Sequence, residues 1–242
     1  AIISGGLGDI GQAIALELAA RGAAVALGDL LPAQTAADLL AKLGPDSRYD
    51  QVDVSDERAV SAWVDRVEKT LGLPNVVIPN AATVTFVELG QLTAEQWRRE
   101  LSVNLDGAYF LADAVTRRLA AAGRPGHVVF IGSWAGHAPH AHIPAYCVSK
   151  AALRMLMKQM ALAYAAHDIL VNEVAPGYVD AGLSARVFEK DPAVKEQAIA
   201  SVPIKRLIQP QDVALEVAHV CDPRQRHMTG SVVLMDGGLS LS

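Results

Sequence analysis

The stretch IGSWAGHAPHAHIPAYCVSK holds two side chains whose types and spacing can move a proton. Tyr146 and Lys150 are four residues apart, so on a helix they share a face and bring the ammonium near the phenol. A free phenol titrates near 10, and to act as a base near neutrality it must drop by roughly 3, which is about 4 kcal/mol. A neighbouring lysine cation acts in that direction. An isolated Tyr-x-x-x-Lys carries little weight, and its meaning depends on what surrounds it.

A second chemical feature opens the chain. In AIISGGLGDIGQAIA, Gly6, Gly8 and Gly11 spell G-x-G-x-x-G; in the shifted register Ser4-Gly5 pairs with Ile10-Gly11 and the outer glycines stand six apart. In either register the glycines lie between an apolar run and a helical pattern. There the backbone can approach a pyrophosphate and the helix N-terminus offers free N–H donors. Asp29 ends the next apolar run, eighteen residues after Gly11. An acid about 20 residues on from such glycines accepts hydrogen bonds from the adenosine ribose hydroxyls and repels a 2′-phosphate. A turn-forming Asp ahead of Leu30-Leu31-Pro32 is the plainer alternative. No Lys or Arg precedes Arg21, so NAD is expected over NADP.

The elements that must position these groups are legible as alternation. Apolar, β-branched runs (AII, AAVALGD, RYDQVDV, NVVIPN, GHVVFIGS, ILVNEVA and SVVLMD) alternate with Ala/Leu-rich stretches of helical length such as ERAVSAWVDRVEKTLG. The runs lack in/out alternation, as expected of parallel strands covered on both faces. A length of 242 residues suits one or two domains. The unbroken rhythm predicts a single α/β domain over 1–242, a doubly wound Rossmann sheet of about seven parallel strands with helices on both faces. Residues 180–209 break the rhythm and read as an insertion beyond a strand end, where ligands of open α/β sheets bind.

Composition narrows the function classes. The chain is 51% hydrophobic and 19% charged, with net charge −5 and no Lys/Arg cluster, so neither nucleic acid nor an anionic membrane is an expected partner. No apolar run approaches the roughly 18 residues of a membrane span, and no signal-peptide pattern is present. Cys147 and Cys221 lack metal-like spacing and read as free thiols in a reducing cytoplasm. The sequence starts without Met inside an apolar stretch, so a few leading residues are expected before it.

Taken in order, the motifs resemble those of the short-chain dehydrogenases/reductases, in their non-extended form of roughly 250 residues. Ser4-Gly5 with Ile10-Gly11 is similar to that family's Thr-Gly-x-x-x-Gly-Ile-Gly turn, which favours the longer glycine spacing. Asp53-Val54 matches the acid used at the adenine ring, and Asn80-Ala81 part of an Asn-Asn-Ala-Gly strand end. Asn104 in VNLDGAYF resembles the helix Asn; Ser133, thirteen residues before Tyr146, has the usual separation; and Tyr146-Cys147-Val148-Ser149-Lys150 resembles Tyr-x-x-Ser-Lys. Asn172, Pro176-Gly177, Met228-Thr229-Gly230 and Asp236-Gly237-Gly238 complete the set.

The resemblance implies roles. Tyr146 would take the proton of an alcohol, Ser133 would hold its oxygen, and Lys150 would lower the Tyr146 pKa and bind the nicotinamide ribose. Asn104 would position a water linking Lys150 to solvent. Cofactor contacts would come from Ser4, Gly5, Gly8, Asp9, Ile10, Gly11, Asp29, Asp53, Val54, Asn80, Ala81, Tyr146, Lys150, Pro176, Gly177 and the Val179 backbone. Candidates on the substrate side are Ala135, His140, His142 and Tyr178, with Trp134 also near by sequence. No metal is expected: His137, His140 and His142 have no carboxylate or thiol nearby. A homotetramer is implied, with the helices after Gly90 and after Tyr146 at one interface.

Departures from the pattern are Asp9 for the middle glycine, Pro79 and Ala82 in the fourth strand motif, and Ala181 where a Thr often contacts the carboxamide. Asp9 is expected to cap the first helix. Arg154 and Lys158 share the Lys150 face and read as polar-edge or interface groups. The expected activity is NAD(H)-dependent interconversion of a secondary alcohol (sugar, polyol or hydroxy acid) and its ketone. Alternatives are a 3-oxoacyl-thioester reductase and a non-catalytic dinucleotide sensor.

Overall fold

The computed structural model describes residues 1–188 and 191–241. All seven expected strands are present: β1 (Ile2–Ser4), β2 (Ala26–Asp29), β3 (Arg48–Gln51), β4 (Val76–Ile78), β5 (Gly126–Ile131), β6 (Ile169–Pro176) and β7 (Val232–Met235). They form one parallel sheet in the order β3-β2-β1-β4-β5-β6-β7.

Successive residues of a strand serve opposite faces, and here both faces are covered. Val128 and Phe130 join one apolar layer with helices α3 (Glu57–Leu71), α5 (Gly107–Ala121) and α6 (Pro144–Tyr164). Val129 and Ile131 join the other, with α1 (Asp9–Ala20), α2 (Ala37–Leu43) and α9 (Pro210–Val220). Every residue of β6 is buried. Continuous apolar strands are the consequence of two-sided burial.

Because all strands run the same way, their C-terminal ends line one edge. The strand order reverses between β1 and β4, where both helical layers diverge and leave a crevice. The insertion contributes α7 (Gly182–Phe188) and α8 (Pro192–Ser201) beside that edge. Between α4 (Ala94–Leu101) and α5 the chain makes a π turn over Ser102–Asp106, a rare geometry concentrated at functional sites. No described helix is long and apolar enough to cross a membrane.

Candidate active site

The glycine turn is built on the longer spacing. Gly5 has φ +62°, and a Cβ on Gly11 would lie 2.2 Å from the Gly5 carbonyl oxygen. Gly8 has room for a side chain, whose Cβ would sit 3.5 Å from the same oxygen. Gly6 turns away from the crevice and packs on Leu27. The G-x-G-x-x-G spelling is therefore incidental to the space that the turn leaves open.

A cleft of about 1120 Å³ runs along the strand ends from this turn. Of the expected cofactor residues, Gly5, Gly8 to Gly11, Asp29, Asp53, Val54, Asn80, Ala81, Tyr146, Lys150, Pro176, Gly177 and Val179 line it. Ser4 does not: it is buried below the floor, and its Oγ accepts from the Asn80 and Ala81 amides at 3.1 and 3.2 Å. Asn80 Nδ2 in turn donates to the Ser4 and Gly5 carbonyls, each at 3.0 Å, so this pair ties β1 to β4 at the crevice. Asp29 reaches from the end of β2 to the glycine turn after β1 and accepts the Leu7 amide at 3.0 Å, which fixes the carboxylate beside the turn.

Asp9 does not cap α1. Gly8 is the N-cap without a side-chain bond, and Asp9 is the first helical residue. Its Oδ2 instead accepts the Gly182 amide at 2.7 Å, joining the glycine turn to the start of α7. A carboxylate in the first turn is still favoured by the helix dipole.

The proton-handling set converges at the β5 end. Ser133 is the N-cap of a short turn, its Oγ accepting the Ala135 amide at 3.1 Å. Pro144 starts α6, which places Tyr146 in the first turn and Lys150 one turn on. Lys150 Nζ lies 5.5 Å from the Tyr146 ring centroid and donates to the Ile131 carbonyl at 2.8 Å. Burial raises the Tyr146 phenol to about 12, opposed by a hydrogen bond from Ser133. The lowering expected from Lys150 is not found: desolvation dominates and the ammonium stands over the ring. Burial lowers the Lys150 ammonium to about 8, with Glu173 acting the other way.

Asn104 lies 1% exposed, just outside the cleft lining. Its Oδ1 accepts the Thr83 amide at 2.8 Å, while Nδ2 donates to the Thr83 carbonyl and to Ser149 Oγ. The side chain is thus taken up in tying the π turn to α6.

On the substrate side Ala135, His140 and Tyr178 line the cleft; His142 is exposed outside it, because the chain turns outward before α6. Trp134 organises this wall, with ring centroids 4.1 Å from His140 and 5.3 Å from Tyr178. Burial keeps His140 below the ordinary imidazole pKa. Leu7, Phe86, Arg99 and Phe188 also line the cleft and were not expected. Arg154 is not a polar-edge group: it is bound to the buried carboxylate of Glu173. The two cysteines are free, Cys221 buried and Cys147 half-buried.

Comparison with known proteins places this geometry. A family profile described as enoyl-(acyl carrier protein) reductase matches residues 6–240. The chain is 34% identical to cis-4-hydroxycyclohexanecarboxylate dehydrogenase of Sinomonas cyclohexanicum, over 98% of this chain and 95% of that one. It is 31% identical to the 3-oxoacyl-(acyl-carrier-protein) reductase of Pseudomonas aeruginosa, over 100% and 97% of the two chains. A crystal structure of NAD+-bound xylitol dehydrogenase superposes with a TM-score of 0.92 at 30% identity, covering 98% of this chain and 97% of that one. Alike in sequence and in fold over nearly its whole length, the chain belongs to the short-chain dehydrogenases/reductases and is an oxidoreductase of that family.

Proposed function

We propose that the protein is an NAD(H)-dependent dehydrogenase interconverting a secondary alcohol and its ketone, with a polyol, sugar or hydroxy acid as substrate. The observation that carries this reading is that Ser133, Tyr146 and Lys150 share one cleft with the Gly5–Gly11 cradle and Asp29. The cradle fits a dinucleotide because its glycines leave backbone where side chains would stand. Asp29 at the end of β2 suits ribose hydroxyls and opposes a 2′-phosphate. When bound, the nicotinamide exchanges hydride with the carbon that bears the alcohol.

The chain's own residues handle the oxygen and its proton. Tyr146 Oη takes the hydroxyl proton in oxidation and returns it in reduction. Ser133 Oγ holds the same oxygen and stabilises charge as it develops. Lys150 supplies positive charge beside the phenol and binds the nicotinamide ribose; Asn104 keeps the π turn and α6 in register. Trp134, Tyr178 and Phe86 give the substrate an apolar wall, and the His140 ring borders it. The similarity to a hydroxycyclohexanecarboxylate dehydrogenase supports a cyclic hydroxy acid within the proposed class. Val148, Met155 and Leu162, seven residues apart on α6, are exposed and suit a homotetramer.

A second reading, reduction of a 3-oxoacyl thioester, is favoured by the family description and the Pseudomonas relative. It calls for NADPH, which Asp29 disfavours. An NAD-coupled screen over sugars, polyols, cyclic alcohols and hydroxy acids, run beside NADPH with an acetoacetyl thioester, separates the two. Tyr146→Phe serves as the blank, and activity surviving in it overturns the proposed chemistry. No turnover of any alcohol or ketone would instead favour a dinucleotide sensor.

A further inference from the structure

Beneath the proton-handling set lies a buried ion pair to which the dehydrogenase reading assigns no role. Glu173 on β6 has no exposed surface. Its carboxylate takes Arg154 in a two-pronged contact, Nε at 3.0 Å and Nη2 at 2.9 Å. The guanidinium also reaches the turn above: Nη1 donates to the Gly136 carbonyl at 3.1 Å and Nη2 to the Ser133 carbonyl at 3.4 Å. Arg154 therefore grips both ends of the segment that presents Ser133. The strand end passes so close over the carboxylate that a Cβ on Gly132 would lie 2.0 Å from Glu173 Oε1.

Lys150 stands one helical turn before Arg154 on the same face of α6, and Glu173 is the carboxylate that favours its charged form. His137, Lys158 and Asp236 are the other titratable groups of this layer. A buried ion pair adds little stability over apolar side chains of the same volume, so its consequence lies in what it orients.

We propose that Arg154 and Glu173 are positioning residues for the reaction. Arg154 clamps the Ser133–Gly136 turn through its carbonyls, and Glu173 anchors the guanidinium. The proposal rests on the roles given above to Ser133, Tyr146 and Lys150. It concerns residues that touch neither substrate nor cofactor and act only through those that do.

The test uses the full chain with the substrate that the screen identifies. Arg154→Lys keeps the charge and loses the fork; Glu173→Gln keeps the shape and loses the charge. Each is expected to lower kcat by about tenfold or more, as misplacement of catalytic groups does, while KM for the dinucleotide and NADH affinity stay within about twofold. Amide hydrogen exchange of residues 131–137 should quicken in Arg154→Lys. The double variant Arg154→Met/Glu173→Leu removes both charges at similar volume and is expected to recover the wild-type Tm but not kcat. A double variant with kcat within about twofold of wild type overturns the proposal, because the pair is then structural only. So does Arg154→Lys with unchanged exchange and unchanged kcat. Activity surviving Tyr146→Phe overturns the underlying chemistry instead, so the two failures are distinguishable.

Discussion

The carboxylate of Asp9 accepts the amide of Gly182 at 2.7 Å, joining residues 173 positions apart across the mouth of the cleft. One partner opens α1 behind the glycine turn and the other opens α7. The contact is exposed, so its energy is small: losing it costs about 1 kcal/mol or less. Asp9→Ala is therefore expected to shift Tm by only about 2–4 °C while amide exchange over 181–188 quickens. Asp9→Asn retains an acceptor oxygen and should keep that segment protected. Equal exchange in wild type and Asp9→Ala would show that the bond does not hold α7.

Asp29 is held by the Leu7 amide with its other oxygen near Leu31, so its carboxylate cannot swing away from the cleft. Two charge-assisted hydrogen bonds to ribose hydroxyls are each worth about 1.5–3 kcal/mol. Asp29→Ala should lower kcat/KM for NAD by at least about tenfold and leave NADP use less affected, so the NAD/NADP ratio falls. The ratio of the two kcat/KM values, measured on one substrate, checks this. An unchanged ratio would return Asp29 to the role of a turn residue.

Lys150 makes stability depend on pH with an unusual sign. Its folded pKa, about 8, lies below the unfolded 10.5, so between those values the unfolded chain binds more protons than the native one. Stability from this group is lowest below about pH 8 and rises as pH climbs toward 10.5. Tyr146 acts oppositely and higher: its folded value near 12 exceeds the unfolded 10.0, so its stabilisation is lost from pH 10 to 12. Between pH 7 and 9 the Lys150 contribution is about 1 kcal/mol. Urea unfolding of wild type and Lys150→Met at those two pH values isolates it. The gain with pH should shrink in the variant by that amount, and equal gains would remove Lys150 as the source.

The fold was legible because two-sided burial writes itself into composition. Strand β6 shows this: ILVNEVAP reads as a buried strand, and all eight of its residues are buried. Tyr146 and Lys150 were legible because both lie on one helix, where spacing alone fixes direction. What stayed hidden were partners distant in sequence. Nothing local in DIGQ tells that Asp9 meets Gly182. Arg154 looked like a surface cation because its helical face also carries Lys150 and Lys158, and only the strand on which α6 packs reveals Glu173 beneath it. His142 failed for the complementary reason: between β5 and α6 no periodic element fixes which loop side chains face the cleft. Trp134 sits in that same loop with its neighbour His140, yet its contact with Tyr178 forms only once β5 and β6 lie side by side.

The two glycine registers share Gly11 and part at Gly8, which only the shorter one needs. If Gly6, Gly8 and Gly11 formed the cradle, a methyl group at position 8 would obstruct the pyrophosphate. The geometry instead gives Gly8 an ordinary conformation, φ −72° and ψ 157°, and 3.5 Å of clearance for a Cβ. Gly8→Ala should therefore fold, the loss limited to a few tenths of a kcal/mol for a poorer N-cap, and in the longer register it keeps NADH affinity within about threefold of wild type. Gly11→Ala drives its Cβ to 2.2 Å from the Gly5 carbonyl, where neither backbone segment can yield without moving the turn. Its dinucleotide affinity should fall by at least about tenfold, with 1–3 kcal/mol lost from stability as overpacking implies. NADH fluorescence titration and thermal unfolding of both variants decide the matter. A Gly8→Ala protein that folds but fails to bind would restore the shorter register and, with it, a different path for the pyrophosphate across α1.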